Sequence, residues 1–213
     1  GAAWCWGNNT NGALGARLTA DSTLVPQPVR VADGHHFTSI STGSFHTCAL
    51  DDDLAAWCWG ANADGQLGNG IPGQSADAPV RVLGDHRFLA ISAGGENTCA
   101  LDESHLAYCW GDFFRNSIPG RTEDVAFPVA IAPPPERPQP LTFDSIKVQL
   151  GDACGIATEI DGGELWCWGD NTLGQVLDAT NDPVFTQIGT PVIPFTFAVG
   201  SNFTCYTGVD WDT

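Results

Sequence analysis

The sequence predicts an all-β fold in which one unit is used four times, and three observations lead there. The tetrapeptide Trp57-Cys58-Trp59-Gly60 returns as Trp4-Cys5-Trp6-Gly7, Tyr108-Cys109-Trp110-Gly111 and Trp166-Cys167-Trp168-Gly169. Its cysteines stand 53, 51 and 58 residues apart, and self-similarity at such a period marks a repeated supersecondary unit. The 213 residues include 25 glycines, 14 prolines and 8 tryptophans, with short apolar runs and no long helical period, a composition of short strands joined by turns.

Taken in order, a unit reads as four strands. In the second copy these are residues 79–82, 88–94, 97–101 and 106–110; in the first, 28–31, 37–43, 45–50 and 55–59; the last offers 191–193 and 195–200. Four short antiparallel strands per unit describe a β-propeller blade. Residues 1–213 are read as one domain, with repeats at about 8–60, 61–111, 112–169, and 170–213 together with 1–7. Residues 1–7 supply a strand with nothing before it and residues 202–208 one with nothing after it. The last blade is therefore expected to be completed by the N-terminal strand, of the same or of a neighbouring chain.

Each tetrapeptide cysteine has a mate on an apolar segment: Cys48, Cys99, Cys154 and Cys205. Eight cysteines in four matched pairs, with no Cys-x-x-Cys, argue for disulfides rather than zinc or a redox dithiol. If Cys48 faces Cys58 across an antiparallel hairpin, Leu50 faces Ala56 and residues 51–55 form the loop. The same register sets Cys99 against Cys109 and Leu101 against Ala107. Cys154 and Cys167 enclose a longer turn, and the fourth bond joins Cys205 to Cys5. Because side chains alternate along a strand, Cys58 points away from Trp57 and Trp59. Both faces are then apolar, as in a blade packed between two neighbours. Disulfides place the chain in an oxidising compartment, extracellular or at the cell surface. Without an initiator Met or a signal peptide, the sequence reads as a processed portion of a secreted precursor.

A formal charge of −17 with only eight Lys plus Arg disfavours nucleic acid, which is bound by clustered basic side chains. No run approaches the roughly 20 apolar residues of a membrane span. The search for chemistry finds no catalytic residue, no cofactor motif and no metal site. The histidines His35, His36, His46, His86 and His105 lack any tight metal spacing. Asp51-Asp52-Asp53 reads as a solvated hairpin turn, and Asn62-x-Asp64-Gly65 lacks the first Asp and the terminal Glu of a calcium loop. Asn8 and Asn202 head Asn-x-Thr tripeptides, two matches of the kind an Asn- and Thr-rich chain contains by chance. The chain is not expected to be an enzyme.

A glycine-rich loop follows the tetrapeptide, best preserved in residues 60–68, Gly-Ala-Asn-Ala-Asp-Gly-Gln-Leu-Gly, and weaker in 7–15 and 169–176. With the Gly43-Ser44-Phe45-His46-Thr47-Cys48-Ala49-Leu50 segment and the Trp-Gly pair, this pattern resembles the regulator of chromosome condensation repeats, and among them the secreted, disulfide-bearing bacterial members. The resemblance implies a β-propeller, usually of seven blades, that binds other proteins through its rims and loops. One branch of that family exchanges guanine nucleotide on a small GTPase and another inhibits β-lactamases. Secretion and the acidic balance point away from nucleotide exchange.

Four repeats leave three arrangements open: part of a longer propeller, a closed four-blade ring, or an open arc completed by the next molecule. The expected partners are accordingly copies of the chain joined end to end into a ring or filament, or another extracellular protein bound by a monomeric recognition or inhibitor molecule. The third repeat departs from the loop pattern with Phe113-Phe114-Arg115, and aromatics with Arg on an irregular loop are frequent anchors of a protein interface.

Overall fold

The computed structural model describes residues 1–19, 23–112, 124–132, 139–157, 164–169, 186–188, 192–200 and 203–210. Three four-stranded antiparallel sheets follow one another along the chain. The first blade is β3 (Phe37–Thr42), β4 (His46–Asp51), β5 (Ala56–Gly60) and β6 (Ala76–Arg81). The second is β7 (Phe88–Ala93), β8 (Asn97–Asp102), β9 (Ala107–Gly111) and β10 (Val125–Ala130). The third is β11 (Phe143–Gln149), β12 (Asp152–Ala157), β13 (Glu164–Gly169) and β14 (Thr186–Ile188). Two-stranded half-blades flank them: β1 (Trp4–Asn8) with β2 (Leu24–Arg30), and β15 (Val192–Val199) with β16 (Thr204–Asp210).

The central strands β4 and β12 are buried at every position, because each lies between two neighbouring blades and neither face meets water. Their register fixes the cysteines. Cys48 pairs with Cys58 and Leu50 with Ala56; Cys99 pairs with Cys109 and Leu101 with Ala107; Cys154 pairs with Cys167. All three pairs are disulfide-bonded. Each closes a loop of 10 to 13 residues and stabilises the fold by about 3 kcal/mol through the unfolded chain.

One expectation is corrected. The Pro-Val segment at 79–82 does not open a blade: Pro79 to Arg81 belong to β6, which pairs with β5 and is the outermost strand of the preceding blade. Pro28, Pro79 and Pro128 all lie in such outer strands, where a missing N–H can face away from the sheet. Of the two ways to complete the last blade, by the same or by a neighbouring chain, closure within one chain is not seen among the described residues. β1 pairs with β2 and β16 with β15, and Cys5 and Cys205 are both free thiols.

The blades are joined by a repeated clamp. The main-chain carbonyl of Ala13, in the loop after the first tetrapeptide, accepts hydrogen bonds from Trp59 Nε1 at 3.0 Å and Thr47 Oγ1 at 3.1 Å. One repeat later, the Gln66 carbonyl accepts from Trp110 Nε1 at 3.0 Å and Thr98 Oγ1 at 3.2 Å. Each loop thus reaches forward to the second Trp of the next blade. Gly68, at φ +65°, lies so close to the Trp110 indole that a β-carbon there would stand 2.7 Å from Nε1, and Gly15 stands likewise against Trp59. The loop is held in shape by buried Asn62, whose Oδ1 accepts from Leu67 N while its Nδ2 reaches the carbonyls of Ile71 and Gln74.

Candidate interaction site at the open half-blade

Comparing the four copies of the tetrapeptide exposes the site. Trp59, Trp110 and Trp168 are fully buried, whereas Trp6, which occupies the same position in the repeat, is 63 % exposed. Trp4 is similarly open, and Phe203 on the opposite half-blade is 63 % exposed. Nothing in the composition of these residues sets them apart. Trp59 and Trp110 are each held by a loop carbonyl of the preceding repeat, and among the described residues no such loop lies over Trp6.

The inner strands repeat the comparison. Ile91 packs against the cluster containing Cys48 and Cys58, Ile146 belongs to the one containing Cys99 and Cys109, and Phe197 to the one containing Cys154 and Cys167. A disulfide on one blade and an apolar residue on the inner strand of the next therefore make each inter-blade core. Ile40 holds the equivalent place in β3 but is 48 % exposed, against 4 % for Ile146. In front of it lies a cleft of about 430 Å³ whose walls include Trp6, Cys5, Ile40, Phe45 and Thr47. On its outer side Cys5 packs with Ala49 and Trp59, as Cys58 does with Ala100 and Trp110. The cleft is thus an inter-blade core lacking its inner pair of strands. Burial raises the pKa of the Cys5 thiol, so it is mostly protonated at neutral pH.

The cysteines fall into two groups: Cys48, Cys58, Cys99, Cys109, Cys154 and Cys167 are bonded inside the blades, and Cys5 and Cys205 face open edges. Phe113, Phe114 and Arg115 lie outside the described residues. The histidines are dispersed. His46 is buried, with Nε2 2.8 Å from Thr98 Oγ1, and burial lowers its pKa to about 4. His35 packs at a tilt against Trp57 and His86 likewise against Tyr108, while His105 Nδ1 lies 3.0 Å from the Phe143 carbonyl. Asp51, first of the acidic run, accepts hydrogen bonds from Asp53 N, Ala55 N and Trp57 Nε1 and so closes its hairpin. No cluster of three or more potential metal ligands occurs among the described residues.

The sequence predicts anchors at Phe113, Phe114 and Arg115 and does not mark Trp6, Ile40 or Phe45. The signal for Trp6 lies in the repeat: it stands where Trp59, Trp110 and Trp168 are buried.

A family model for the regulator of chromosome condensation (RCC1) repeat matches residues 1–50 and 55–101, and a second model of that repeat matches 37–66 and 88–116. Between them the matches cover residues 1–116, more than half of the chain. The chain belongs to the RCC1 repeat family. Among its relatives, the ultraviolet-B receptor UVR8 of Arabidopsis thaliana is 30% identical over 178 residues, which span 80% of this chain and 38% of the receptor. The probable E3 ubiquitin-protein ligase HERC6 of Homo sapiens is 26% identical over 184 residues, 83% of this chain but 17% of the ligase. The solved structure of Prp20p from Saccharomyces cerevisiae superimposes with a TM-score of 0.79 at 23% identity, covering 100% of this chain and 52% of that one. The RCC1-repeat chain therefore has the fold of these propellers while spanning about half, or less, of each relative. Yeast RCC1 (Prp20) has also been solved bound to Kap60. No helix among the described residues is long and apolar enough to cross a membrane.

Proposed function

We propose that this RCC1-repeat chain is an extracellular protein-binding and structural module that assembles head to tail, the β15–β16 half-blade of one copy completing the β1–β2 half-blade of the next. The observation that carries the reading is the exposure of Trp6 beside its three fully buried equivalents. The two half-blades are complementary in kind. Each whole blade runs in strand order from inner to outer; β15 and β16 correspond to the first two strands, and β1 and β2 to the last two. β15 packs on the third blade much as β7 packs on the first, so β16 is left with a free edge of the kind that β1 also presents. Adding a strand to such an edge supplies main-chain hydrogen bonds for affinity and side-chain pockets for specificity. Unpaired edges left open invite indiscriminate pairing, and complementation removes that hazard.

Three buried disulfides support an extracellular setting, since such bonds persist in oxidising compartments. The contact is heterologous, with different surfaces meeting, so copies add in one direction and yield a ring or a filament according to the rotation between them.

Native mass spectrometry over a concentration series, on the parent chain and on Trp6→Ala, tests the reading. The parent is expected at integer multiples of the chain mass and the variant as a folded monomer, because a side chain so exposed contributes little to the fold of a single copy. A parent chain that stays monomeric at every concentration overturns it.

A further inference from the structure

We infer that Cys5 of one chain and Cys205 of a second form an intermolecular disulfide that locks the head-to-tail contact covalently; the inference rests on the assembly proposed above. The three blades supply the register. In each, the tetrapeptide glycine faces the residue two before the inner cysteine, as Gly60 faces His46, Gly111 faces Asn97 and Gly169 faces Asp152. The two cysteines then face one another with 4.1 Å between their α-carbons. Carried to the half-blades, this register sets Phe203 opposite Gly7, Thr204 opposite Trp6, Cys205 opposite Cys5 and Tyr206 opposite Trp4.

Three features of the two edges fit that alignment. Gly7 has φ +109°, matching Gly60 at +105°, Gly111 at +109° and Gly169 at +111°. A β-carbon on any of the last three would collide with the backbone of the adjoining inner strand, whereas beside Gly7 there is open space. Gly7, Gly60 and Gly111 share this φ at an irregular pairing with the outer strand, so Gly7 already holds the blade conformation while leaving open the space that the inner strand fills in the blades. Thr204 Oγ1 stands 4.0 Å from Cys154 Sγ, as Thr98 Oγ1 stands 3.8 Å from Cys48 Sγ, so the start of β16 is seated on the third blade as β8 is on the first. The cleft of about 430 Å³ beside Cys5 is where the neighbour's inner strands would enter.

The chemistry is thiol–disulfide exchange with a small-molecule disulfide of the glutathione class. Cys205 is exposed, and its thiolate attacks one sulfur of that disulfide, breaking its S–S bond, forming a mixed disulfide and releasing one thiolate. Once the strands pair, Cys5 of the other chain loses its proton and attacks the Cys205 sulfur, and the second small thiol leaves. Two protein thiols are oxidised and one small disulfide is reduced to two thiols, a balanced two-electron exchange. The order follows from exposure, since the partly buried Cys5 thiol is the poorer first nucleophile.

The test mixes unlabelled and ¹⁵N-labelled chains, oxidises them with glutathione disulfide, blocks remaining thiols and maps peptides without reduction. The expected result is a Cys5–Cys205 peptide pair joining one light and one heavy chain. A ladder on a non-reducing gel is expected alongside it, abolished in Cys5→Ser and in Cys205→Ser. Assembly in solution with both cysteines still open to alkylation would overturn the lock and leave the assembly standing. A monomer with both thiols free overturns the assembly and the lock with it. A Cys5–Cys205 pair carried by a species that runs at the mass of one chain on the non-reducing gel overturns the lock by placing the bond inside one chain. Ser at either position replaces a thiol that is not fully buried, so folding of the variants is checked by tryptophan fluorescence, to which buried Trp59 and Trp110 contribute.

Discussion

Acid should weaken this protein through one histidine. His46 is 1 % exposed and reaches across the first two blades to Thr98. The Thr98 hydroxyl donates to the Gln66 carbonyl, so its oxygen is left to accept, and His46 must donate from Nε2. The lone pair then sits on Nδ1, which has no hydrogen-bond partner among the described residues. Protonation would place a charge in an apolar interface and a new N–H with no acceptor, and burial accordingly lowers the pKa from 6.5 to about 4. The unfolded chain binds this proton more readily than the folded one. Stability from His46 is therefore fully present above pH 6.5 and falls away as the pH drops toward 4. At about 1.4 kcal/mol per pKa unit, the loss between pH 7.5 and 4.5 is roughly 2–3 kcal/mol. Urea unfolding followed by tryptophan fluorescence at the two pH values, on the parent and on His46→Gln, isolates this loss. The Gln amide can still donate to Thr98 but does not titrate, so the variant should lose that much less on acidification. Equal losses in the two proteins, or an NMR titration of His46 with a midpoint near 6.5 in the folded state, would refute the reasoning.

Other perturbations separate the packed copies from the open one. Gly60→Ala should cost about 3 kcal/mol or more in a urea melt, since it strains a positive φ and drives a methyl into the Phe45 carbonyl, whereas Gly7→Ala, with the same φ and open space, should cost only about 1 kcal/mol in a single chain. Asn62→Ala leaves Leu67 N and two loop carbonyls without their partner and should cost about 2–4 kcal/mol, read as a lower thermal midpoint. Replacing Cys99 and Cys109 together by Ala should cost about 3 kcal/mol, and a melt unchanged from the parent would contradict the stabilising role given to that bond.

The cysteine register was legible because it depends only on hairpin geometry. Once Cys48 is set opposite Cys58, a two-residue period forces Leu50 against Ala56, and the structure has that pairing. The phase of the blades was not legible. A Pro-bearing strand such as residues 79–81 suits an edge, but its sequence does not say to which of two successive sheets the edge belongs; hydrogen bonding to β5 decides it. The clamp was also hidden, because the acceptor is a main-chain carbonyl, which any residue provides. Gln66 and Ala13 do the same work with unrelated side chains. His46 could be recognised as structural from its place on a repeat strand, yet its bond to Thr98 spans two blades and leaves no local pattern.

The clamp also has a direction. Ala13 is made well before Trp59, and Gln66 well before Trp110, so on a chain synthesised from the N-terminus each tryptophan emerges after the carbonyl that will hold it. The first two blades can each dock onto the segment made before them and wait for nothing downstream.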